Sequence, residues 1–247
     1  MNASAQKGLS LIELMVALAL GTLVLFTVLQ IYLSGSDHAA FNNAQQQNQS
    51  RARFILDLLQ SQAGQAGYVA WQRHATAQDA ALFDFVLDRE GPFPSLTDSR
   101  TGCSFADGKV SAVDADGKGL CVRYQRSQRS DAQFHQDCSG GALYSDADSS
   151  TPQVLVSHLY VSGSELHCKT NNTASAGEVV LATGIHDLRF ESASVNQVRV
   201  GLVLTSTRLL LPENCTYQDP LGDQQKNTGT RGLCSAFAQS LYLRNQP

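Results

Sequence analysis

Hydrophobic and polar positions change their rhythm twice along this chain. The first regime is an apolar run with no charged position from Leu14 to Ser36, 23 residues. At 1.5 Å per residue a helix of that length spans about 35 Å, enough for a hydrocarbon core of ~30 Å. The second regime follows in "NAQQQNQSRARFILDLLQSQAGQAGY". There Phe54, Ile55, Leu58 and Leu59 recur at the i, i+1, i+4, i+5 spacing of one helical stripe. Gln45, Gln46, Gln47 and Gln49 are polar but compatible with helix. Gly64 and Gly67 predict its end, because glycine is the common residue past a helix C-terminus. No proline occurs between Met1 and Gly91, so nothing forces a break between the two halves. The alternative is a separate amphipathic helix after a linker at "SGSD".

Beyond Tyr68 the rhythm changes again, to short β-like runs between clusters of Gly, Ser, Asp and Asn. The predicted strands are "ALFDFVL", "GLCVRYQ", "QVLVSHLYV", "SELHCKT", "EVVLAT", "IHDLRFES", "QVRVGLVLTS" and "SLYLRN". In the seventh, Val198, Val200, Leu202 and Leu204 share one face, and Arg199, Gly201, Val203 and Thr205 the other. That alternation predicts a strand with one buried face. No period of 20–50 residues suggests a repeat architecture. The expected fold class is α+β: a long amino-terminal helix packed on an antiparallel β-sheet head.

Composition narrows the function classes. The 43% hydrophobic fraction supports a packed core, and a net charge of −4 gives no nucleic-acid footprint. Six cysteines, at 103, 121, 138, 168, 215 and 234, all lie outside the amino-terminal segment and none forms a CxxC pair. Such usage predicts disulfides in an oxidising compartment. At the amino terminus Lys7 is the one charged side chain before the apolar run, and Glu13 stands at the start of it. A cleaved secretory signal, cut near Ser36 or Ala39, is one reading of this pattern. Glu13 argues against it, because a charge within an apolar span costs roughly 2.5–3.5 kcal/mol near the bilayer centre and less near the interface.

The residues "KG-LSLIE-LMVALALG" resemble the type IV prepilin amino terminus, which type II secretion pseudopilins share. The resemblance implies cleavage by a prepilin peptidase between Gly8 and Leu9, followed by N-methylation of Leu9. Glu13 becomes the fifth mature residue and the docking group for a neighbouring subunit. Leu9 stands where the family usually has Phe. The implied organisation is a leader over 1–8, a transmembrane and filament-core helix over 9–36, an amphipathic continuation over 37–66, and a periplasmic β-rich head over 67–247. The order of "GLCVRYQ", "LVSHLYVSGSELHCKT", "EVVLATGIHDLRFES", "VRVGLVLTS" and terminal "LYLRN" is similar to the PilW-type minor pilins and, more distantly, the J-type pseudopilins. Gln62 replaces the family's usual basic residue, and 71–117 and 212–232 look like insertions or variable loops. The resemblance implies a non-enzymatic subunit that helps to initiate or cap a type IV pilus. Its implied partners are the prepilin peptidase, the other minor pilins, the major pilin, the inner-membrane assembly platform and, before assembly, membrane lipid. It would sit in the bacterial inner membrane with its head in the periplasm, and then in the pilus. A J-type pseudopilin is the alternative, and a membrane-anchored periplasmic enzyme a third.

Catalytic and cofactor signals are sparse. The chain has no G-x-S-x-G elbow, no H-E-x-x-H and no phosphate loop. No cofactor and no nucleic-acid partner are expected. His135 with Cys138, and His167 with Cys168, could hold zinc, but a disulfide with two surface histidines is the favoured reading. "DADGKG" from Asp114 to Gly119 resembles a fragment of a calcium loop without the later ligands, and reads better as a polar turn. Arg123, Arg126 and Arg129 read as a solvated strand end. Six cysteines allow fifteen connectivities. Nearest neighbours give Cys103–Cys121, Cys138–Cys168 and Cys215–Cys234, each closing a loop worth roughly 3 kcal/mol in chain entropy.

Overall fold

In the computed structural model, residues 11–69, 93–125, 136–141, 154–173, 177–210 and 213–243 are described. The helix α1 (Leu11–Gln65) runs without interruption through 55 residues, about 80 Å at 1.5 Å per residue. The stretch "SGSD", where the alternative reading placed a linker, is continuous helix. The chain leaves α1 at Gly67, whose φ of +75° is the left-handed conformation that ends a helix without a Cβ clash. The exit segment is then sewn to the sheet. Gly67 N–H donates to the Arg123 carbonyl at 2.9 Å, and Gln125 N–H donates to the Tyr68 carbonyl at 2.8 Å.

Twelve strands follow among the described residues. β3 (Ser111–Val113), β4 (Gly119–Gln125), β5 (Val154–Ser162), β6 (Glu165–Thr170) and β7 (Glu178–Thr183) form a five-stranded antiparallel sheet in that order. β8 (Ile185–Ser194), β9 (Gln197–Leu210) and β12 (Gly232–Tyr242) form a three-stranded antiparallel sheet, with β9 in the centre. Gly184 alone separates β7 from β8, and its φ of +79° turns the chain from one sheet to the other. Two small hairpins also lie among the described residues: β1 (Leu96–Thr97) with β2 (Ser104–Phe105), and β10 (Thr216–Gln218) with β11 (Gln225–Asn227). These hairpins and β3 fall in the stretches expected to be variable loops. The last strand begins at Gly232, well before the expected "SLYLRN". The expected strand "ALFDFVL" lies outside the described residues.

The carboxyl half of α1 lies on both sheets in one core. Ala52, Ile55, Leu56, Leu59, Ala63 and Ala66 pack with Leu120, Val122 and Tyr124 of β4, with Leu155 and Leu159 of β5, and with Val200, Leu202 and Leu204 of β9. The buried face is rotated from the stripe read in the sequence. Ile55 and Leu59 lie on it at 1% and 0% exposure, but Phe54 points outward at 58%. Small residues at 44, 52, 63 and 66 hold the rest of this face, which lets β12 and β9 approach the helix backbone. Gln62 is buried here at 6% exposure, so the basic side chain expected at this place would have to be desolvated. Two polar side chains fix the helix along β12. Asn48 Nδ2 donates to the Leu233 carbonyl at 3.2 Å, and Gln60 both donates to the Tyr242 carbonyl and accepts from its N–H.

Part of each sheet's second face is covered as well, contrary to the one-sided alternation. In β9, Val203 is 1% exposed on the face expected to meet solvent. A Cβ on neighbouring Gly201 would lie 2.8 Å from Pro220 and Leu221, so the segment before β11 lies directly on this face. In β4 all seven residues are buried. A second apolar cluster of Cys103, Phe105, Cys121 and Val156 packs there under residues 93–112. Cys103–Cys121 and Cys215–Cys234 tie these covering segments to the sheets, and Cys138–Cys168 ties residues 136–141 to β6 on the core side.

Arg123 organises the cover over β4. The sequence places it at a solvated strand end, but it is 1% exposed. Its Nε donates to the Lys109 carbonyl at 2.6 Å, Nη1 to Pro94 at 2.5 Å, and Nη2 to Phe93 at 2.9 Å and Ala106 at 3.2 Å. The guanidinium also lies 4.9 Å from the Phe105 ring centre and 5.3 Å from that of Phe93, a cation–π arrangement. Burial lowers its pKa to about 10, with the nearby Asp107 opposing the shift, so it stays charged at neutral pH. One side chain therefore gathers four carbonyls of residues 93–109, two of which, those of Phe93 and Ala106, also accept from the Gly108 and Lys109 N–H groups. Arg126 and Arg129 lie outside the described residues.

Replacing Arg123 by Met keeps the stem and removes every one of these donors. We expect a loss of about 3 kcal/mol, since each orphaned buried acceptor costs ~1–3 kcal/mol and part of the loop can turn its carbonyls to water. Denaturant unfolding of the full-length protein in detergent, read by near-ultraviolet circular dichroism, measures it. A midpoint equal to wild type would mean that the loop does not depend on Arg123.

Candidate functional site at the amino-terminal helix

The amino-terminal half of α1 leaves the head entirely. Its large apolar residues between Leu11 and Leu33 are 52–77% exposed. Among the described residues this is the one helix long and apolar enough to cross a membrane. Two hydroxyls inside the run have local acceptors. Thr22 Oγ1 donates to the Ala19 carbonyl at 2.9 Å and Thr27 Oγ1 to Val24 at 2.8 Å. Neither group then needs water, which a bilayer would not supply. Past Ser36 the first polar pair, Asp37 and His38, marks the upper limit of the charge-free run.

Glu13 lies in the first turn of α1 and is exposed. A carboxylate there favours the positive end of the helix dipole, which offsets part of the cost of its apolar setting. It has no ion-pair partner among the described residues. Gly8 and Leu9, the expected cleavage and N-methylation positions, lie outside the described residues.

The other chemistry singled out in the sequence is dispersed. Asp114 and Asp116 form the β3–β4 turn: Asp116 Oδ1 accepts from Lys118 N–H at 2.9 Å, and Asp114 Oδ2 lies 2.8 Å from His158 Nε2. Both carboxylates thus serve the turn and the sheet. Cys168 is bonded to Cys138 and faces the core. His167, next to it on β6, points to the opposite face and stacks on Tyr160 at 5.4 Å. The two residues therefore cannot join one metal site. His135 lies outside the described residues.

A polar row on this outer face escaped sequence reasoning. His158, Tyr160 and His167 are neighbours across β5 and β6, with ring centres 4.8 and 5.4 Å apart. His167 lies 3.5 Å from Glu165 and 3.4 Å from Glu178. The Tyr160 hydroxyl donates to Glu178 at 2.6 Å. Burial, reinforced by that carboxylate, pushes the Tyr160 pKa up to about 12, and the same hydrogen bond holds Glu178 below its ordinary value. Period-two alternation does place these residues on one face, but pairing them needs the β5–β6 register.

Residues 3–29 match the prokaryotic N-terminal methylation motif. The match covers the leader and the first part of α1, and it supports a type IV prepilin-like protein. No curated protein and no solved structure matches the chain.

A processed chain is expected to begin at Leu9 with a methyl group on its amine. Mass spectrometry of the amino-terminal peptide from membranes reads this directly. A terminus at Met1, or one beyond Ser34, would contradict the prepilin reading.

Proposed function

We propose that this protein is a PilW-type minor pilin, a non-enzymatic subunit that helps to initiate or cap assembly of a type IV pilus. The observation that carries the reading is the division of one unbroken helix. Its carboxyl half is sheathed by the head, while its amino half is bare, apolar and led by Glu13. Such a half is suited first to lipid and then to a bundle of equivalent helices. The head packs on the carboxyl half of the same unbroken helix, so docking the helix also positions the head.

Glu13 supplies the electrostatics of docking. Cleavage after Gly8 exposes a charged amine at Leu9, also at the membrane boundary. Moved into a helical bundle, that amine needs a counter-charge, and the Glu13 carboxylate of a neighbouring subunit provides it. At 4 Å and an effective dielectric of 20 the pair is worth about 4 kcal/mol, which offsets the desolvation that either charge would suffer alone. The prepilin peptidase and an inner-membrane assembly platform are the partners this sequence of steps requires. The head would stand in the periplasm before assembly and on the pilus, including its tip, afterwards.

Glu13→Gln tests the role of the charge. It preserves the apolar run and Gly8, so membrane insertion and cleavage should persist at wild-type levels. Piliation should fall several-fold, because the Leu9 amine loses its partner. Surface pili and processed membrane protein are to be measured together in cells carrying either form. Normal piliation with normal incorporation of the variant would remove Glu13 from docking. Normal pili but failed secretion of exoproteins in a deletion strain would place the chain in a type II secretion system as a J-type pseudopilin instead.

A further inference from the structure

The Cys103–Cys121 disulfide differs from the other two in its surroundings. Among the described residues, Cys103, Cys121 and His158 are the group of metal-ligating side chains whose donor atoms all lie within 4.8 Å of one another. Asp114 borders this group, with Oδ2 2.8 Å from His158 Nε2 and Oδ1 3.9 Å from Cys121 Sγ. We propose that Cys103, Cys121 and His158, with Asp114 as fourth neighbour, are a latent tetrahedral site for a zinc-class ion, opened when an external thiol or phosphine reduces the disulfide.

Three features support this. First, the donor set suits the ion. Two thiolates, an imidazole and a carboxylate are the ligands that zinc takes tetrahedrally, at ~2.3 Å to sulfur and ~2.0–2.2 Å to nitrogen and oxygen. Such a tetrahedron puts its sulfurs about 3.8 Å apart, so reduction needs only a small separation of two side chains already in place. Second, His158 is oriented as a ligand. Its Nε2 lies 2.8 Å from Asp114 Oδ2 and its Nδ1 3.2 Å from the Thr101 carbonyl, so the ring is held from both sides with one nitrogen beside the carboxylate. A ring N–H held by a backbone carbonyl is the usual support of a metal-bound histidine. Third, the backbone makes room. A Cβ on Gly119 would lie 2.0 Å from Asp114 Oδ2 and 2.5 Å from His158 Nε2, so only glycine lets the pair meet there.

Two electrons and two protons from the reductant convert the disulfide to two thiols. Binding of the ion then displaces both thiol protons to solvent, and His158 binds through the lone pair of its unprotonated ring nitrogen. The cross-link between residues 93–112 and β4 is retained in another form. The head would keep this loop pinned before its cysteines are oxidised, or after they are reduced.

The test uses the full-length protein in detergent, with Co²⁺ as the spectroscopic probe and Zn²⁺ as competitor, in the presence and absence of a phosphine reductant. Oxidised protein should bind neither ion at this site. Reduced protein should take up one Co²⁺ per chain, with sulfur-to-metal charge transfer and the strong visible bands of a tetrahedral site, and Zn²⁺ should bleach them. His158→Ala should still form the Cys103–Cys121 disulfide, yet bind the ion at least tenfold more weakly when reduced. The double variant Cys215→Ser, Cys234→Ser should bind as wild type. Failure of the reduced protein to bind, including failure through unfolding, would overturn the proposal. So would equal binding by His158→Ala, which would assign the ion to unspecific thiols.

Discussion

One helix has to serve two surroundings, and the rest of the structure follows from that. Backbone polar groups of α1 are satisfied within the helix, so its apolar half needs no partner segment to enter lipid or a helical bundle. The other half cannot stand alone, because without the head it would expose a largely apolar face from Ala44 to Ala66. The head exists structurally to cover that face. It does so with two sheets, and their inner residues meet the helix in one continuous core. A break near Ser34 would uncouple the two halves, and docking of the membrane half would no longer place the head.

The head meets a second constraint, which is size. A five-stranded and a three-stranded sheet over half a helix leave wide outer faces. Among the described residues these are covered in part by loops and short hairpins. Such segments bury little apolar area per residue, so they are held by specific links. Arg123 gathers four carbonyls of residues 93–109, and Cys103–Cys121 closes the same loop. On the other sheet, Lys226 pairs with Asp219 beside the β10–β11 hairpin, and Cys215–Cys234 joins that arm to β12. The Asp219 carboxylate is held below its ordinary pKa chiefly by Lys226. Its contribution is present above the usual carboxylate range and is lost as pH falls through the lowered value.

The outer row of His158, Tyr160, His167 and their carboxylates is a third kind of solution. Its charges and rings satisfy one another across strand register, which keeps a broad sheet face from presenting bare apolar surface. The same row ends at the Cys103–Cys121 disulfide, where the surplus of donor atoms around His158 exceeds what a cross-link requires.

The sequence by itself determined the elements whose signals are local. The apolar run, the absence of proline and Gly67 define α1 to within a few residues, because helix hydrogen bonds close within four positions. Strands β4 and β7 are bounded as "GLCVRYQ" and "EVVLAT" predict, for their turn residues lie beside them. The amino-terminal motif is equally local, and its placement needs no fold. Tertiary structure alone decided which faces are buried. Phe54 belongs to the apolar stripe in sequence, yet the sheets dock some 130° around the helix from it, as a rotation of 100° per residue gives. Val203 and Arg123 alternate outward, yet segments distant in the chain fold over them. Burial depends on what arrives from elsewhere, and periodicity records only which residues share a face.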